Sequence, residues 1–157
     1  MPTTSKDRVL ARERERGRAA AINLAAKAPG MTGTAIIAEE DSIPDWSEKA
    51  VYTAAMVGWP VRDNGQVYTI LQPHTPAYNP GVHPADLPAI YSIKHTQDPA
   101  KAKPFQIPNG GSGAYAVGDC CIHGGNVYRS VLEPNVWSPE GYPAGWEYVG
   151  PVNEVQP

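Results

Sequence analysis

The sequence predicts a mainly β protein: two small antiparallel β modules, each three-stranded with Pro/Gly-rich loops, preceded by an N-terminal α-helical arm. The strongest observation is a repeat, since the eleven residues 58–68 recur at 118–128 with four identities at a constant offset of 60. The chain also contains 17 prolines and 15 glycines in 157 residues, which is typical of short strands joined by long turns. Finally, residues 1–30 carry the signals of a helix.

The repeat divides the chain into five predicted segments. The identical pairs are Gly58/Gly118, Gly65/Gly125, Val67/Val127 and Tyr68/Tyr128. Further along, residues 88–93 match 143–148 at an offset of 55, so one module is used twice with loops of different length. We predict a helical arm at 1–30, a connector at 31–44, a first module at 45–97, a linker at 98–113 and a second module at 114–157. Modules of about 50 residues are near the lower limit for independent folding, which favours a binding or assembly protein over a catalytic one.

The arm is predicted to be a helix over residues 5–28, with Ser5 as its N-cap and Pro29-Gly30 at its end. Its apolar side chains other than alanine are Val9, Leu10, Ile22 and Leu24. Because an isolated helix with so little apolar surface is marginal in water, we expect these residues to dock the arm on a partner.

Charge is divided unevenly between the arm and the rest of the chain. Residues 1–30 hold seven basic and three acidic residues, a net charge of +4, whereas residues 31–157 hold six basic and thirteen acidic residues, a net charge of −7. The arginines that alternate with glutamates around the predicted helix are Arg12, Arg14, Arg16 and Arg18. This arrangement predicts ion pairs between subunits and argues against a nucleic-acid-binding stripe. The alternative is a solvated charged face.

Each module contains a hairpin signal. Asn64-Gly65 in the first module and Gly124-Gly125 in the second tolerate the positive φ angles of a two-residue turn. A proline-rich return follows each hairpin, and the last strands are predicted at 89–93 and 146–149. Cys120 and Cys121 are adjacent, so a bond between them would be strained. Two alternatives remain for them: two buried thiols, or a disulfide to another chain.

Signals for catalysis, metals and membranes are weak. The histidines, which are scattered along the chain, are His74, His83, His95 and His123. A metal clip between His74 and His83, and a thiolate–imidazole pair of Cys120 and His123, are less favoured than turn and core positions. We predict no enzyme, no metal and no cofactor. We also expect neither a secretory signal nor a membrane span, because no apolar run has the required length.

The motifs of both modules resemble the chitin-binding type-3 module, carbohydrate-binding module families 5 and 12. The residues that carry the resemblance in the first copy are Trp46, Tyr52, Gly58 and the run 64–68; in the second they are Tyr115, Gly118-Asp119, the run 125–128 and Trp146. Together the matches cover about two thirds of the chain. The first copy departs from the pattern in having three extra residues before Gly58 and Trp59 in place of the aspartate.

The resemblance implies sugar binding by stacking on exposed aromatic rings. The positions where such modules often carry an adjacent aromatic pair hold Gln72-Pro73 and Leu132-Glu133 here, so the sugar-binding surface is lost or moved. We name Trp137, Tyr142 and Tyr78, all in long loops, as a substitute platform. The alternative is that these three rings cover a small core.

Two such modules behind a charged helical arm also resemble small bacteriophage virion proteins. The resemblance implies a non-enzymatic tail, neck or capsid-attached protein, assembled in the host cytoplasm and located in the virion. Its expected partners are other virion proteins, copies of itself and host cell-surface polysaccharide, with no nucleic acid and no membrane. The alternative is a module that binds chitin, peptidoglycan or cellulose as an accessory of a secreted or lytic enzyme system.

Overall fold

The structure, a computed structural model, describes residues 5–109 and 112–157. Residues 1–4 of the predicted arm and 110–111 of the predicted linker lie outside the described residues. The helices are α1 (Ser5–Lys27), α2 (Gly33–Ala38) and α3 (Val152–Val155). The strands are β1 (Pro60–Asp63), β2 (Gln66–Ile70), β3 (Tyr91–Lys94), β4 (Lys103–Pro104), β5 (Cys120–His123), β6 (Asn126–Ser130) and β7 (Trp146–Pro151).

The secondary-structure content corrects the expected mainly β class. With the single-turn 3-10 helices included, helices hold 36% of the described chain, and strands together with isolated β-bridge residues hold 25%. The chain is therefore mixed, with an N-terminal helix and two separate sheets. Much of the additional helical content lies in proline-rich loops. Four of the 3-10 turns in the described residues begin at a proline, whose fixed φ angle suits the first helical position.

The first sheet has the order β1-β2-β3 and is antiparallel throughout. Its hairpin is the predicted one: Asn64 and Gly65 have φ angles of 49° and 76°. The central strand β2 is buried on both faces. Val67 packs toward the arm, whereas Tyr68 and Ile70 pack in the core of the module. The predicted hairpin and three-stranded sheet are confirmed.

The second sheet has the order β4-β5-β6-β7, which is one strand more than predicted. Its hairpin is again the expected one, with φ angles of 57° at Gly124 and 80° at Gly125. The additional strand β4 lies in the predicted linker and pairs parallel to β5, with Lys103 opposite Cys121. Proline and glycine breakers made this segment look like a linker, but two residues suffice for the parallel pairing.

Glycines with positive φ angles place the same backbone bonds in both modules. The N–H of Gly58 donates to the carbonyl of Ile70 (2.7 Å), and the N–H of Gly118 donates to that of Ser130 (2.8 Å). Their φ angles are 92° and 94°. A Cβ on Gly58 would lie 2.7 Å from the side chain of Pro29, so both conformation and space favour glycine here.

A tyrosine in each module closes the long loop by a mutual pair of backbone bonds. Tyr52 exchanges N–H···O bonds of 2.9 Å with His74, and Tyr115 exchanges bonds of 2.9 and 2.8 Å with Asn135. Tyr52 is therefore the counterpart of Tyr115. The three extra residues before Gly58 are accommodated between this tyrosine and the glycine, where residues Ala54–Met56 form a 3-10 turn.

The second module has an opening aromatic residue that its sequence does not reveal. The N–H of Trp46 donates to the carbonyl of Arg62 (2.7 Å), and the N–H of Phe105 donates to that of Ile122 (2.8 Å). Both contacts are part of parallel pairing beside the first hairpin strand. Phe105 is thus the counterpart of Trp46, and both copies begin with an aromatic ring.

Three aromatic rings form the core of the first module. Tyr91 packs edge-to-face against Trp46 and Tyr52, with ring centroids 6.5 and 6.2 Å apart. The Trp46 indole N–H donates to the Tyr91 hydroxyl (3.0 Å), which also lies 2.8 Å from Nδ1 of His74. The Tyr52 hydroxyl accepts from the N–H of Ser47 (2.9 Å). Burial raises the pKa of Tyr91, so its hydroxyl stays protonated and can bind both Trp46 and His74.

The second module repeats this core with different side chains. Tyr115 packs against Phe105 and Trp146, with centroids 5.5 and 5.2 Å apart. Its hydroxyl accepts from the N–H of Gln106 (3.2 Å), as Tyr52 accepts from the residue after Trp46. His95 stacks on its other face at 3.7 Å, and burial lowers the pKa of this histidine, which favours a neutral ring.

Helical segments cover the outer face of each sheet. The C-terminal end of α1 packs on the first sheet, and the buried residues of this cluster are Leu24, Ala28, Ile36, Ile37, Ile43 and Val67. The predicted connector thus contains a helix, α2, whose Thr32 cap accepts from the N–H of Ala35 (3.1 Å). On the second sheet, α3 supplies Val152 and Val155 to the cluster around Val127.

The two sheets are joined by direct hydrogen bonds. The side-chain amide of Gln66 donates to the carbonyl of Pro104 (2.7 Å), and the N–H of Cys120 donates to the carbonyl of Thr96 (2.7 Å). Lys103 forms an ion pair with Glu40. The part of the predicted linker around Lys103 and Pro104 therefore belongs to the second sheet and contacts the first.

Replacing Tyr91 by phenylalanine tests the first aromatic core. The change leaves the indole N–H of buried Trp46 without an acceptor, so we expect a loss of about 1–3 kcal/mol in the free energy of unfolding, measured by urea denaturation. The matched control is Tyr78→Phe, because Tyr78 is 83% exposed; its effect should be within about 0.5 kcal/mol. Equal stability of the two variants would contradict the assigned role of Tyr91.

Candidate functional site

Two surfaces of the described chain expose side chains that packing does not explain. The first, called the basic arm here, is the part of α1 formed by residues 5–19, each of which is exposed. At about 1.5 Å per residue this segment extends about 22 Å. The second, called the aromatic pair, consists of Trp137 and Tyr142.

The basic arm exposes apolar side chains together with arginines. Val9 is 52% exposed and Leu10 is 41% exposed, and Ile22, just beyond the arm, is 60% exposed. Four arginines of the arm are exposed and form no ion pair within 4.0 Å among the described residues. They are Arg12, Arg14, Arg16 and Arg18. Since residues four apart share a helix face, these charges occupy two faces of the helix.

Leu24 corrects the predicted docking set. It is only 1% exposed and packs with Ile36 and Ile37 in the cluster that attaches α1 to the first sheet. Leu24 therefore fixes the base of the helix within its own chain. Val9, Leu10 and Ile22 remain exposed, so the predicted set divides into an attached end and a projecting end.

The base of the arm borders an apolar cleft. A cavity of about 110 Å³ is lined by Ile22, Ala25, Pro44, Trp59 and Pro60, among others. A second cavity of about 240 Å³ shares Pro44, Trp59 and Pro60 and continues toward Tyr52 and Met56. The two form one apolar surface beside the first module.

The aromatic pair lies in the long loop of the second module. Trp137 and Tyr142 are 47% and 43% exposed, and their rings meet edge-to-face with centroids 5.4 Å apart. The carbonyl of Trp137 accepts from the indole N–H of Trp146 (2.9 Å). The loop is thus tied to the aromatic core, while both rings keep almost half of their surface accessible.

Asn135 holds this loop in place from within. It is 0% exposed, and its side-chain amide donates to the hydroxyl of Ser130 (3.0 Å) and to the carbonyl of Gly145 (2.9 Å). Its side-chain oxygen accepts from the N–H of Trp137 (3.3 Å). A buried, fully bonded amide is a common device for fixing a loop, and here it orients the aromatic pair.

Tyr78 does not complete the predicted three-residue platform. It lies in the 3-10 turn Pro76–Tyr78 of the first module and is 83% exposed. No ring contact in the described part of the chain joins it to Trp137 or Tyr142. The alternative function as a cover for the core does not fit Tyr78 either, because most of its surface is in contact with solvent.

Both cysteines are buried thiols. Cys120 is 2% exposed and Cys121 is 0% exposed, both on β5. Burial raises the pKa of Cys120 to about 11 and that of Cys121 to about 12, so neither is a thiolate at neutral pH. Of the two alternatives from the sequence, the structure shows the buried thiols and leaves neither sulfur accessible for a disulfide to another chain.

The histidines contact separate partners. His74 lies beside Tyr91, and His83 lies 2.8 Å from Oδ2 of Asp63, so these two residues do not converge as a metal clip. His123 lies 3.5 Å from a carboxylate oxygen of Glu140. Within residues 5–109 and 112–157 there is no group of three metal-ligating side chains, and no helix there is long and apolar enough to cross a membrane.

No protein-family model matches the chain, and no curated protein matches its sequence.

The contact between His83 and Asp63 predicts a pH dependence of stability. Its hydrogen bond to the carboxylate raises the pKa of His83 above its ordinary 6.5, although burial acts in the opposite direction. The stabilisation is therefore fully present below the unfolded-state pKa and is lost as the pH rises through the folded-state pKa. We expect the unfolding free-energy difference between wild type and Asp63→Asn, from denaturation at several pH values, to shrink from pH about 5.5 to about 8.5. A difference that is constant over this range would refute the pairing.

Proposed function

We propose that this protein is a non-enzymatic structural component of a bacteriophage particle, attached to its tail, neck or capsid. In this proposal the basic arm docks on a neighbouring protein, and the two β modules pack against the particle or project from it. The supporting observation is the run of exposed helical residues 5–19 that includes Val9 and Leu10. Because a helix without tertiary contacts is marginal in water, a partner that covers this segment would stabilise it.

The matched hydrogen bonds of the two modules also support the proposal. Both copies preserve the backbone contacts of the glycine, the tyrosine and the opening aromatic residue. The chitin-binding type-3 resemblance concerns these same positions. We therefore propose that both modules are versions of this binding module, used in the particle for assembly and for attachment to host-surface glycans.

Deleting residues 1–19 tests the docking role of the arm. This truncation spares Leu24 and Ala28, which belong to the buried cluster that attaches α1 to the first sheet, so we expect a folded protein. Tagged full-length and truncated chains would be produced in the host during particle formation, and purified particles would be probed by immunoblot. We expect incorporation of the full-length chain and at least about a tenfold loss for the truncated one.

A finer variant separates the exposed apolar residues from the rest of the helix. Val9→Ser with Leu10→Ser should reduce incorporation. The matched control is Ile107→Ser, which should not, because Ile107 is 78% exposed and lies outside α1. Equal incorporation of the full-length and truncated chains would refute docking through the arm. Absence of the full-length chain from particles would refute the virion assignment itself.

The aromatic pair supports a second candidate function, binding of an insoluble glycan. Two half-exposed rings held on a fixed loop offer flat apolar surface of the kind that ligand sites use. The same property would serve the alternative protein class, an accessory module of a secreted or lytic enzyme system. In either case the ligand contact is proposed for the side chains of Trp137 and Tyr142.

Binding to chitin, cellulose and peptidoglycan decides this second function. We expect wild-type protein to be retained on one of these polymers and Trp137→Ala to lose about tenfold in affinity. The backbone carbonyl that binds Trp146 is unchanged by the substitution, and Tyr78→Ala is the control for an exposed ring outside the pair. If none of the polymers retains the wild type, glycan binding is rejected and assembly alone remains.

A further inference from the structure

We infer that the basic arm docks on the acidic body of a second copy of this chain. This inference rests on the proposed function and names the partner of the arm. It starts from the distribution of charge: residues 1–30 carry a net +4 and residues 31–157 a net −7 in a chain whose total is −3. Two arms repel each other, so pairing of arm with arm is disfavoured.

Within one chain, Arg12, Arg14 and Arg16 of the arm have no acidic partner within 4.0 Å among the described residues. At the other end of α1, in its last turn, Lys27 lies 3.1 Å from Glu39. Arg12, Arg14 and Arg16 are exposed. Arginine side chains on a projecting helix are free to meet carboxylates of another molecule.

The body has more carboxylates than its own basic residues can neutralise. Thirteen acidic residues face six lysines and arginines in residues 31–157. The basic residues among those six that are already in ion pairs are Arg62, Lys101, Lys103 and Arg129. The body therefore presents a negative surface to any approaching copy.

One part of that surface is complementary to the arm, because it combines exposed carboxylates with a neighbouring apolar surface. Asp41, Asp45 and Glu48 are exposed within eight residues of sequence, and the side chain of Asp45 remains 81% exposed despite its contact with Arg62. Between them lies Pro44, which lines both apolar cavities. A segment that combines arginines with Val9 and Leu10 has the complementary combination of groups.

The docking that we infer places Val9 and Leu10 over the cleft lined by Pro44, Trp59 and Pro60. The arginines of the arm then face Asp41, Asp45 and Glu48 of the other copy. The contact buries apolar surface and pairs exposed charges at the same time, which gives both affinity and orientation.

Sedimentation of the purified full-length chain tests the inference. We expect an oligomer at about 50 mM salt that dissociates at about 500 mM, because exposed charges are screened. Arg12→Glu with Arg14→Glu and Arg16→Glu should weaken association about tenfold to a hundredfold, and Asp41→Lys with Glu48→Lys should do the same. An equimolar mixture of these two variants should associate again, since the reversed charges are complementary. The arm substitutions are at exposed positions, so the folded state should be unaffected.

Matched controls separate this contact from general charge effects. Glu133→Lys with Glu140→Lys reverses two exposed acids of the second module and should leave the oligomer intact. A monomer at every salt concentration, an oligomer that survives reversal of the arm, or equal dissociation by the control variant would overturn the inference. A chain that is monomeric in solution but enters particles through its arm would overturn only the self-association and keep the proposed function. A chain that oligomerises but is absent from particles would overturn the proposed function and keep the self-association.

Discussion

Each module depends on a buried tyrosine whose ring fills the core and whose hydroxyl binds the backbone beside the opening aromatic residue. Tyr52 and Tyr115 play this part in the two copies, with hydroxyl contacts of 2.9 and 3.2 Å. A module of about 50 residues buries too little aliphatic surface to be stable by it alone, and aromatic rings supply large buried area with few torsions to fix. The strands, the closing loop and the hairpin are all arranged around this ring.

The parts of the fold that backbone chemistry dictates could be predicted from the sequence. Asn64-Gly65 and Gly124-Gly125 specify hairpins because few other residues adopt their φ angles. The parts that depend on tertiary contact could not. Phe105 takes the place of Trp46 with a different side chain, and β4 consists of two residues between prolines. Neither leaves a periodic or compositional signal, so the segment that contains them resembled a linker.

The candidate sites show the same division. The exposed arginines of the arm could be predicted because a charged helix is visible in the sequence. Trp137 and Tyr142 could be predicted because aromatic residues stand out in a proline- and glycine-rich loop. The sequence could not separate Leu24 from Val9, since both are apolar residues of one helix. Only the packing of α1 on the first sheet makes one of them core and the other surface. The distance between Tyr78 and the aromatic pair is likewise a property of how two loops are placed.

Duplication also indicates where function must lie. The contacts that the two modules share are those of the backbone and the core, and a shared core serves folding equally in both copies. Apart from substituted core side chains and the added strand β4, the copies differ at the surface: the first module is attached to the basic arm, and the second carries the aromatic pair. The hairpin of the second module is covered by α3, whose Val152 donates its N–H to the carbonyl of Gly125 (2.9 Å), whereas the first sheet is covered by the C-terminal end of α1 and by α2. One fold thus supports two different surfaces, because loops and terminal segments vary without disturbing the aromatic core that positions them.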